Sequence, residues 1–282
     1  MGSKLSISGK SYAKVNLYLY VTGKRADGYH ELDTLFYGID LYDTITLTES
    51  AKTTLRTNLP YIPTDQRNII MKVDAILRAE YGLTLNYTID LHKNIPVGAG
   101  LGGGSGNAAC YLQLVNKIAD LGLSIDDMHS ILARVGSDTA FFLYLPAAIG
   151  RGRGEILTPI KEIEKVYMIL INPKIFISTK EIFINKKLKL TTLSDIPTIK
   201  DSYPFNDLVQ SMHNDLQPVA ESLHPEISDI CKSLELAGAE RAMMSGSGST
   251  VFGVFRDEDS RDKAFERLDY PDYLVVKTAG LL

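Results

Sequence analysis

The residues of this chain best suited to chemistry are glycines, a few hydroxyls and a handful of charges, at spacings that fit the handling of phosphate. Pro96 is followed by Gly98-Ala99-Gly100-Leu101-Gly102-Gly103-Gly104-Ser105-Gly106-Asn107, with five glycines among residues 100–106, and the run leads into a stretch of helical spacing. Glycine lets a backbone approach a ligand closely and adopt positive φ. A helix beginning there offers unpaired N–H groups and a partial positive charge. Together these make a cradle for phosphate. The run lacks GxxxxGK[ST], so it is not a P-loop. Gly98, Gly100 and Gly103 satisfy GxGxxG, and Asp120 lies near the distance a dinucleotide site wants. Against that reading, residues 84–92 alternate polar and apolar, whereas a central parallel strand is apolar nearly throughout. Asp120 also follows a helix and does not close a second strand. A dinucleotide-dependent oxidoreductase is the rival at this level.

Other candidates lie elsewhere along the chain. Residues 11–22 alternate, with Ala13, Val15, Leu17, Leu19 and Val21 on one face and Lys14, Asn16, Tyr18, Tyr20 and Thr22 on the other. This predicts a strand with one buried face, on which Lys14 and Asn16 point the same way. An ammonium there is either solvated or paired, since burying it alone is costly. Asp138 opens a short helical stretch beside an apolar run, where a carboxylate reads first as a helix cap and second as a base facing a closed site. Tyr29 and His30 are adjacent rings in a loop. Met244-Ser245-Gly246-Ser247-Gly248-Ser249 is a second glycine and serine cluster, read as a turn into a strand. His92, His129, His213 and His224 have no metal-ligand spacing. Cys110 and Cys231 are far apart and are expected as buried free thiols of a reducing compartment.

The elements that must position these groups follow from periodicity. Residues 1–10 read as a loose lead-in. Strands are expected at 32–37, 43–48, 84–92, 166–171 and 250–255. Helices are expected at 68–81, 105–121, from a Ser124/Asp127 capping box to Gly136, from 137 to 143, and near 206–222 and 226–237. Residues 50–66 read as an excursion, and residues 186–204, rich in Lys, Thr and Pro, as a mobile connection. A composition shift at 152–160 suggests domains of 1–152 and 153–282. Early strands with helices between and after them make the class α+β. Lys plus Arg number 30 against 34 Asp plus Glu, which gives no basic excess and argues against a nucleic-acid partner. Residues 140–149, the longest apolar stretch, are broken by Pro146 and fall short of the roughly 20 residues that span a bilayer. The N-terminus lacks a signal-peptide pattern. The expectation is a cytoplasmic enzyme, monomeric or homodimeric.

Three separated motifs together resemble the GHMP kinase superfamily: Ala13-Lys14-Val15-Asn16-Leu17, the stretch from Pro96 to Ala109, and Met244 to Ser249. Further segments are similar to the branch that phosphorylates 4-diphosphocytidyl-2-C-methyl-D-erythritol. They are Gly23-Lys24-Arg25-Ala26-Asp27-Gly28-Tyr29-His30-Glu31-Leu32, Gly136-Ser137-Asp138-Thr139-Ala140-Phe141-Phe142, Gly152-Arg153-Gly154-Glu155-Ile156-Leu157 and Asn214-Asp215-Leu216. The chain departs from the pattern at Gly106, where the family often has serine, and at Ser137 and Ala140, which replace alanine and proline beside the aspartate.

The resemblance implies a two-domain α+β fold. Its N-terminal domain would be like domain 2 of ribosomal protein S5 and its C-terminal domain ferredoxin-like, with the site in the cleft between them. It implies ATP and Mg²⁺ as cofactors and a small-molecule substrate carrying cytidine diphosphate, phosphorylated on its 2-hydroxyl in isoprenoid synthesis. By the same resemblance Asp138 is the base and Lys14 pairs with it. Asn16 binds the substrate or that pair, and Tyr29 and His30 recognise cytosine, with Phe183 as a second stacking ring. The stretch from Pro96 through Asn107 holds ATP, with Ser105 at the metal or phosphate. The alternatives are another GHMP kinase, acting on mevalonate, homoserine or isopentenyl phosphate, and a silent nucleotide-binding homologue.

Overall fold

The computed structural model describes residues 5–196, 198 and 200–282. The first four residues of the expected lead-in, and positions 197 and 199 of the expected connection, lie outside the described residues. In chain order the elements are β1 (Ser6–Lys24), β2 (His30–Glu49), β3 (Thr54–Thr57), α1 (Ile69–Glu80), β4 (Tyr87–His92), α2 (Gly103–Ile118) and α3 (Ile125–Val135). A 3-10 turn at Thr139–Leu143 follows, then β5 (Ala147–Gly152), β6 (Ile156–Pro159), β7 (Glu162–Ile163), β8 (Tyr167–Asn172) and α4 (Thr179–Ile184). After a 3-10 turn at Leu193–Asp195 come β9 (Ser202–Tyr203), α5 (Phe205–Ser211), β10 (His213–Asn214), α6 (Gln217–Leu223) and α7 (Glu226–Ala237). The chain closes with β11 (Arg241–Met244), β12 (Val251–Phe255), α8 (Glu258–Phe265) and β13 (Leu274–Ala279).

Two compact units emerge, and their segments interleave along the chain. One comprises Met1–Ala13, Leu41–Ile95 and Gly102–Leu143. In it residues 44–49 of β2 pair antiparallel with β4, and β4 pairs parallel with β3. Alternation buries Ile45, Leu47, Leu55, Ile89 and Leu91. Helices α1, α2 and α3 pack on one another and on the 139–143 turn. Asn68 caps α1 by accepting from the Ile70 N–H at 3.0 Å, and Ser124 and Asp127 form the expected capping box on α3. At Gly9 an added Cβ would lie 3.1 Å from Cys110 Sγ and from Leu114, so β1 meets α2 closely.

The other unit comprises Lys14–Asp40, Pro96–Leu101 and Tyr144–Leu282. Its four-stranded antiparallel sheet has the order β11-β12-β8-β13, and α7 and α8 pack against it. The fully apolar run in β8 is explained by this central place: Ile169 and Ile171 join Val251, Phe255, Ile227, Ile230 and Leu234 in one core. Residues 32–37 of β2 pair with β5, β5 pairs with β6, and Tyr18 and Leu19 of β1 pair in parallel with β10.

Several expectations change. The lead-in is strand from Ser6 onward. The strand over 11–22 is buried on both faces, because Lys14, Asn16, Tyr18 and Tyr20 are buried along with the apolar set. The strands expected at 32–37 and 43–48 are one element, β2. Gly38, which interrupts the pattern, is no turn; a Cβ there would meet Leu145 at 2.5 Å. Helix α2 begins two residues before Ser105, since Gly103 and Gly104 are already helical. The helix expected over 206–222 is divided by β10, where the Asn214 side chain binds backbone on three sides. The β5–β6 hairpin occupies much of the stretch 152–160.

Candidate active site

The glycine-rich run is shaped by its neighbours into a surface of donors. Gly98, Gly100 and Gly102 have φ of 67°, 76° and 66°, conformations that favour glycine. Gly100 is pressed against the backbone of Ser245, and an added Cβ would collide with that residue's carbonyl oxygen. The carbonyls of residues 99–101 are all engaged. Ala99 accepts from the Thr250 N–H at 3.3 Å, and Leu101 from the Lys14 N–H at 3.0 Å. Gly100 accepts from Ser245 Oγ at 3.0 Å and Lys14 Nζ at 3.1 Å. Gly102 opens α2 with no side-chain cap. Among the described residues, the N–H groups of Gly102, Gly103, Gly104 and Ser105 have no protein acceptor, and Gly106 makes the first helical bond, to Gly102 O at 2.8 Å. A row of free backbone donors ending on a helix N-terminus is what an anionic phosphate chain needs.

Space distinguishes the glycines at the start of α2. A Cβ on Gly104 would meet nothing within 4 Å. One on Gly103 would lie 2.9 Å from Ile95 and 3.1 Å from Lys93 Nζ. One on Gly106 would lie 2.6 Å from the Tyr12 carbonyl oxygen and 3.1 Å from Ser11 Oγ. The departure from serine at position 106 therefore has a packing cause: β1 occupies the space. Asn107 is buried, and its side chain faces Ser11, Asp43 and Lys93.

Ser105, on the first turn of α2, donates from Oγ to Asp138 Oδ1 at 2.6 Å. Asp138 is half-buried in the short link between α3 and the 139–143 turn. Two residues expected to serve chemistry are thus joined by a charge-assisted hydrogen bond.

Lys14 and Asn16, in the other unit, do point the same way. Lys14 Nζ donates to Asn16 Oδ1 at 2.7 Å and lies 5.5 Å from the centre of the Phe36 ring. Asn16 Nδ2 donates to Thr34 Oγ1 at 2.8 Å, and that hydroxyl donates to Tyr18 O at 2.6 Å, so the amide is fixed in orientation. The Met244–Ser249 cluster closes on this group. Gly246 has φ of 58°, and a Cβ there would lie 3.3 Å from Asn16 Oδ1. Asn214 holds the cluster by donating to Met244 O and Gly246 O, both at 2.8 Å. The neighbouring Asp215 accepts from the Val21 N–H at 2.7 Å and Thr191 Oγ1 at 2.8 Å, with His213 Nε2 at 2.6 Å. Burial works against its charge, but these hydrogen bonds outweigh it and hold the carboxyl below its usual value.

Tyr29 and His30 lie at the β1–β2 connection. The Arg25 N–H donates to Tyr29 O at 2.8 Å, Gly28 has φ of 86°, and Asp27 accepts from the Tyr29 N–H at 3.1 Å. That accounts for Arg25-Ala26-Asp27-Gly28 as a built turn. The His30 ring stacks on Phe183 with centroids 5.0 Å apart, so these two expected residues meet. Burial, reinforced by Lys24, pushes the His30 pKa below its ordinary value and favours the neutral ring. Tyr29 is 53% exposed, with the Arg153 guanidinium 5.0 Å from its ring centre. Glu155 accepts from the Arg153 N–H at 2.6 Å and pairs with its side chain at 3.5 Å, which aims the guanidinium. Sequence alone does not single out Arg153, Thr34 or Asn214; Arg153 and Asn214 fall inside the family-like segments, while Thr34 carries no local signal.

Both cysteines are free and buried, and burial pushes each thiol up to about 12. Among the described residues no group of three His, Cys, Asp or Glu could hold a metal ion, and no helix is long and apolar enough to cross a membrane.

Comparison with known proteins gives consistent matches. The model of the GHMP kinases N terminal domain matches residues 68–145, and that of GHMP kinases C terminal matches residues 196–272. The 4-diphosphocytidyl-2-C-methyl-D-erythritol kinase of Alkaliphilus metalliredigens is 38% identical over 268 residues, covering 92% of this chain and 91% of that protein. A crystal structure of 4-(cytidine 5'-diphospho)-2C-methyl-D-erythritol kinase superposes with a TM-score of 0.79 at 28% identity, covering 97% of this chain and 99% of the other. Homoserine kinase from Cytophaga hutchinsonii shares the fold, with a TM-score of 0.72 at 17% identity over 100% of this chain and 96% of its own.

Proposed function

The chain belongs to the GHMP kinases, in the group of 4-diphosphocytidyl-2-C-methyl-D-erythritol kinases, and from that premise we propose that it moves the γ-phosphoryl group of ATP to the 2-hydroxyl of 4-diphosphocytidyl-2-C-methyl-D-erythritol. The observation that carries the reading is the row of free N–H donors at residues 102–105 on the N-terminus of α2, ending on a serine whose hydroxyl rests on Asp138. Phosphoryl transfer is mostly a matter of positioning and charge stabilisation, and this row supplies both to the triphosphate.

In this reading Asp138 takes the proton of the acceptor hydroxyl. The acceptor oxygen then forms its bond to the γ-phosphorus, the bond to the bridging oxygen breaks, and ADP leaves with that electron pair. Lys14 contributes positive charge and Asn16 a fixed amide for the acceptor. His30 and Phe183 form a ring pair, and Tyr29 with Arg153 a second aromatic and cationic surface, for the cytosine and the diphosphate. A neutral imidazole has one donor and one acceptor nitrogen, which suits a base edge. Mg²⁺, when bound, would neutralise charge on the triphosphate oxygens. The Ser105 hydroxyl beside a carboxylate is a hard oxygen donor suited to it, and we assign Ser105 to that ion. We place the two family domains at 1–152 and 153–282, since the matched segments fall on either side of residues 146–195. The buried free thiols suit a reducing cytoplasm.

The test is ADP release with Mg-ATP and the cytidyl substrate, run beside mevalonate and homoserine. Turnover with the cytidyl compound alone is expected. Turnover with another acceptor instead would remove the nucleobase role of Tyr29 and His30.

A further inference from the structure

A buried ionic cluster beneath the glycine-rich run reaches beyond the assignments above, which touch it only at Asn107. Asp43 on β2 and Lys93, just past β4, form an ion pair whose side chains are 0% and 4% exposed. Asp43 Oδ2 also accepts from Asn107 Nδ2 at 2.9 Å, while Oδ1 accepts from the N–H groups of Asn94 at 2.7 Å and Ile95 at 2.8 Å. Lys93 Nζ donates to Asn107 Oδ1 at 3.1 Å, and Asn107 Nδ2 donates to Ser11 Oγ at 2.8 Å. Every polar atom of the Asn107 and Asp43 side chains is therefore engaged. Burying a charge pair is expensive and does not by itself favour stability; an apolar set of equal volume often serves as well or better. Such a cluster has its value in fixing one geometry.

The geometry fixed here is the entry to the phosphate cradle. Asp43 holds the backbone at 94 and 95, immediately before Pro96. Asn107 ties the same carboxylate to the first turn of α2. The Lys93 ammonium reaches so near Gly103 that a Cβ there would lie 3.1 Å from it. The cluster thus grips the backbone just before the run and the first turn of α2 just after it. We propose that Asp43, Lys93 and Asn107 are positioning residues that set the azimuth and depth of the α2 N-terminus for the triphosphate of ATP. Asn107, taken from sequence as part of the cradle itself, acts through Asp43 and Lys93 and touches no ligand. This inference rests on the kinase reading, and its test is separable from it because it needs no acceptor.

The test measures Mg-ATP affinity by calorimetry, without acceptor, on Asn107→Leu and on the double variant Asp43→Asn/Lys93→Met. Asn107→Leu leaves the ion pair intact, and the double variant leaves no lone buried charge. Folding is verified by circular dichroism and thermal unfolding. Amide exchange at residues 103–107 is followed in parallel, with pyrophosphate as a second probe. The expected result is a folded Asn107→Leu protein that binds ATP and pyrophosphate at least tenfold more weakly and exchanges faster at 103–107. A folded variant that loses melting temperature but binds ATP within twofold of the wild type would overturn the inference and leave the kinase reading standing. Wild-type protein that binds no ATP would overturn both. Should the double variant fail to fold, Asn107→Leu alone decides.

Discussion

Replacing Asp138 by asparagine separates its chemical part from its structural one. The side chain keeps its shape and still offers Oδ1 to Ser105, but the 2.6 Å hydrogen bond loses its charge. A hydrogen bond to a charged group is worth about 1.5–3 kcal/mol and a neutral one about 0.5–1.5 kcal/mol, so the exchange costs about 1 kcal/mol. Asp138 is only half-buried, which places the cost at or below that figure. For a chain of this size that is a fall in Tm of about 2–4 °C at most. The catalytic effect is far larger. A positioned base contributes roughly 10²- to 10⁴-fold, or about 3–5 kcal/mol at the transition state. The N–H donors at 102–105 are untouched, so ATP should bind within about threefold of the wild type. Coupled ADP release gives kcat and KM, and calorimetry gives the ATP affinity. A variant that keeps kcat within tenfold of the wild type while remaining folded would refute the assignment of Asp138 as base.

Three further outcomes are expected. Gly106→Ser places a Cβ 2.6 Å from the Tyr12 carbonyl; overpacking of about 1–3 kcal/mol, eased by up to about 1 kcal/mol of helix propensity, should lower Tm by a few degrees, and an unchanged Tm would show that β1 yields. His30→Ala and Tyr29→Ala should each raise KM for the cytidyl substrate by roughly 5- to 100-fold, the worth of a stacked base, with kcat nearly constant; an unchanged KM in both would remove the base-binding role. Asp215, whose carboxyl titrates below its ordinary value in the folded protein, contributes stability that is complete above about pH 4 and is lost as pH falls through the folded value. Urea unfolding from pH 7 to pH 3 should therefore show Asp215→Asn less stable at neutral pH and the gap closing below about pH 4, whereas a constant gap would contradict the linkage.

What was legible in sequence was what depends on neighbours within one element. The glycine-rich run, the capping box on α3 and the shared face of Lys14 and Asn16 are of this kind, and each has its expected local form. What was not legible depends on a second element. Period two in β1 reads as one wet face, yet Lys14, Asn16, Tyr18 and Tyr20 are buried because other strands and turns cover them. Gly38 reads as a break, but it is a contact with Leu145. Asn107 reads as part of the cradle because it follows the glycines, while its actual partners come from β1, β2 and the end of β4. Position 106 has a family pattern to be compared with, but only the nearness of Tyr12 explains why it is glycine here. Among the elements that sequence did not reveal, β11 and β13 are short strands at the two edges of the sheet, with little internal periodicity to betray them.

The pairing of β1 with β10 also has a bearing on how the chain is made. Val21 and the Asp215 that receives its N–H are 194 positions apart. At about 5–20 residues per second, a ribosome needs roughly 10–40 s to travel between them. Throughout that interval β2, made next, can pair with one edge of β1, while the edge that takes β10 offers its N–H and C=O groups to any passing strand, the condition under which nascent chains join one another.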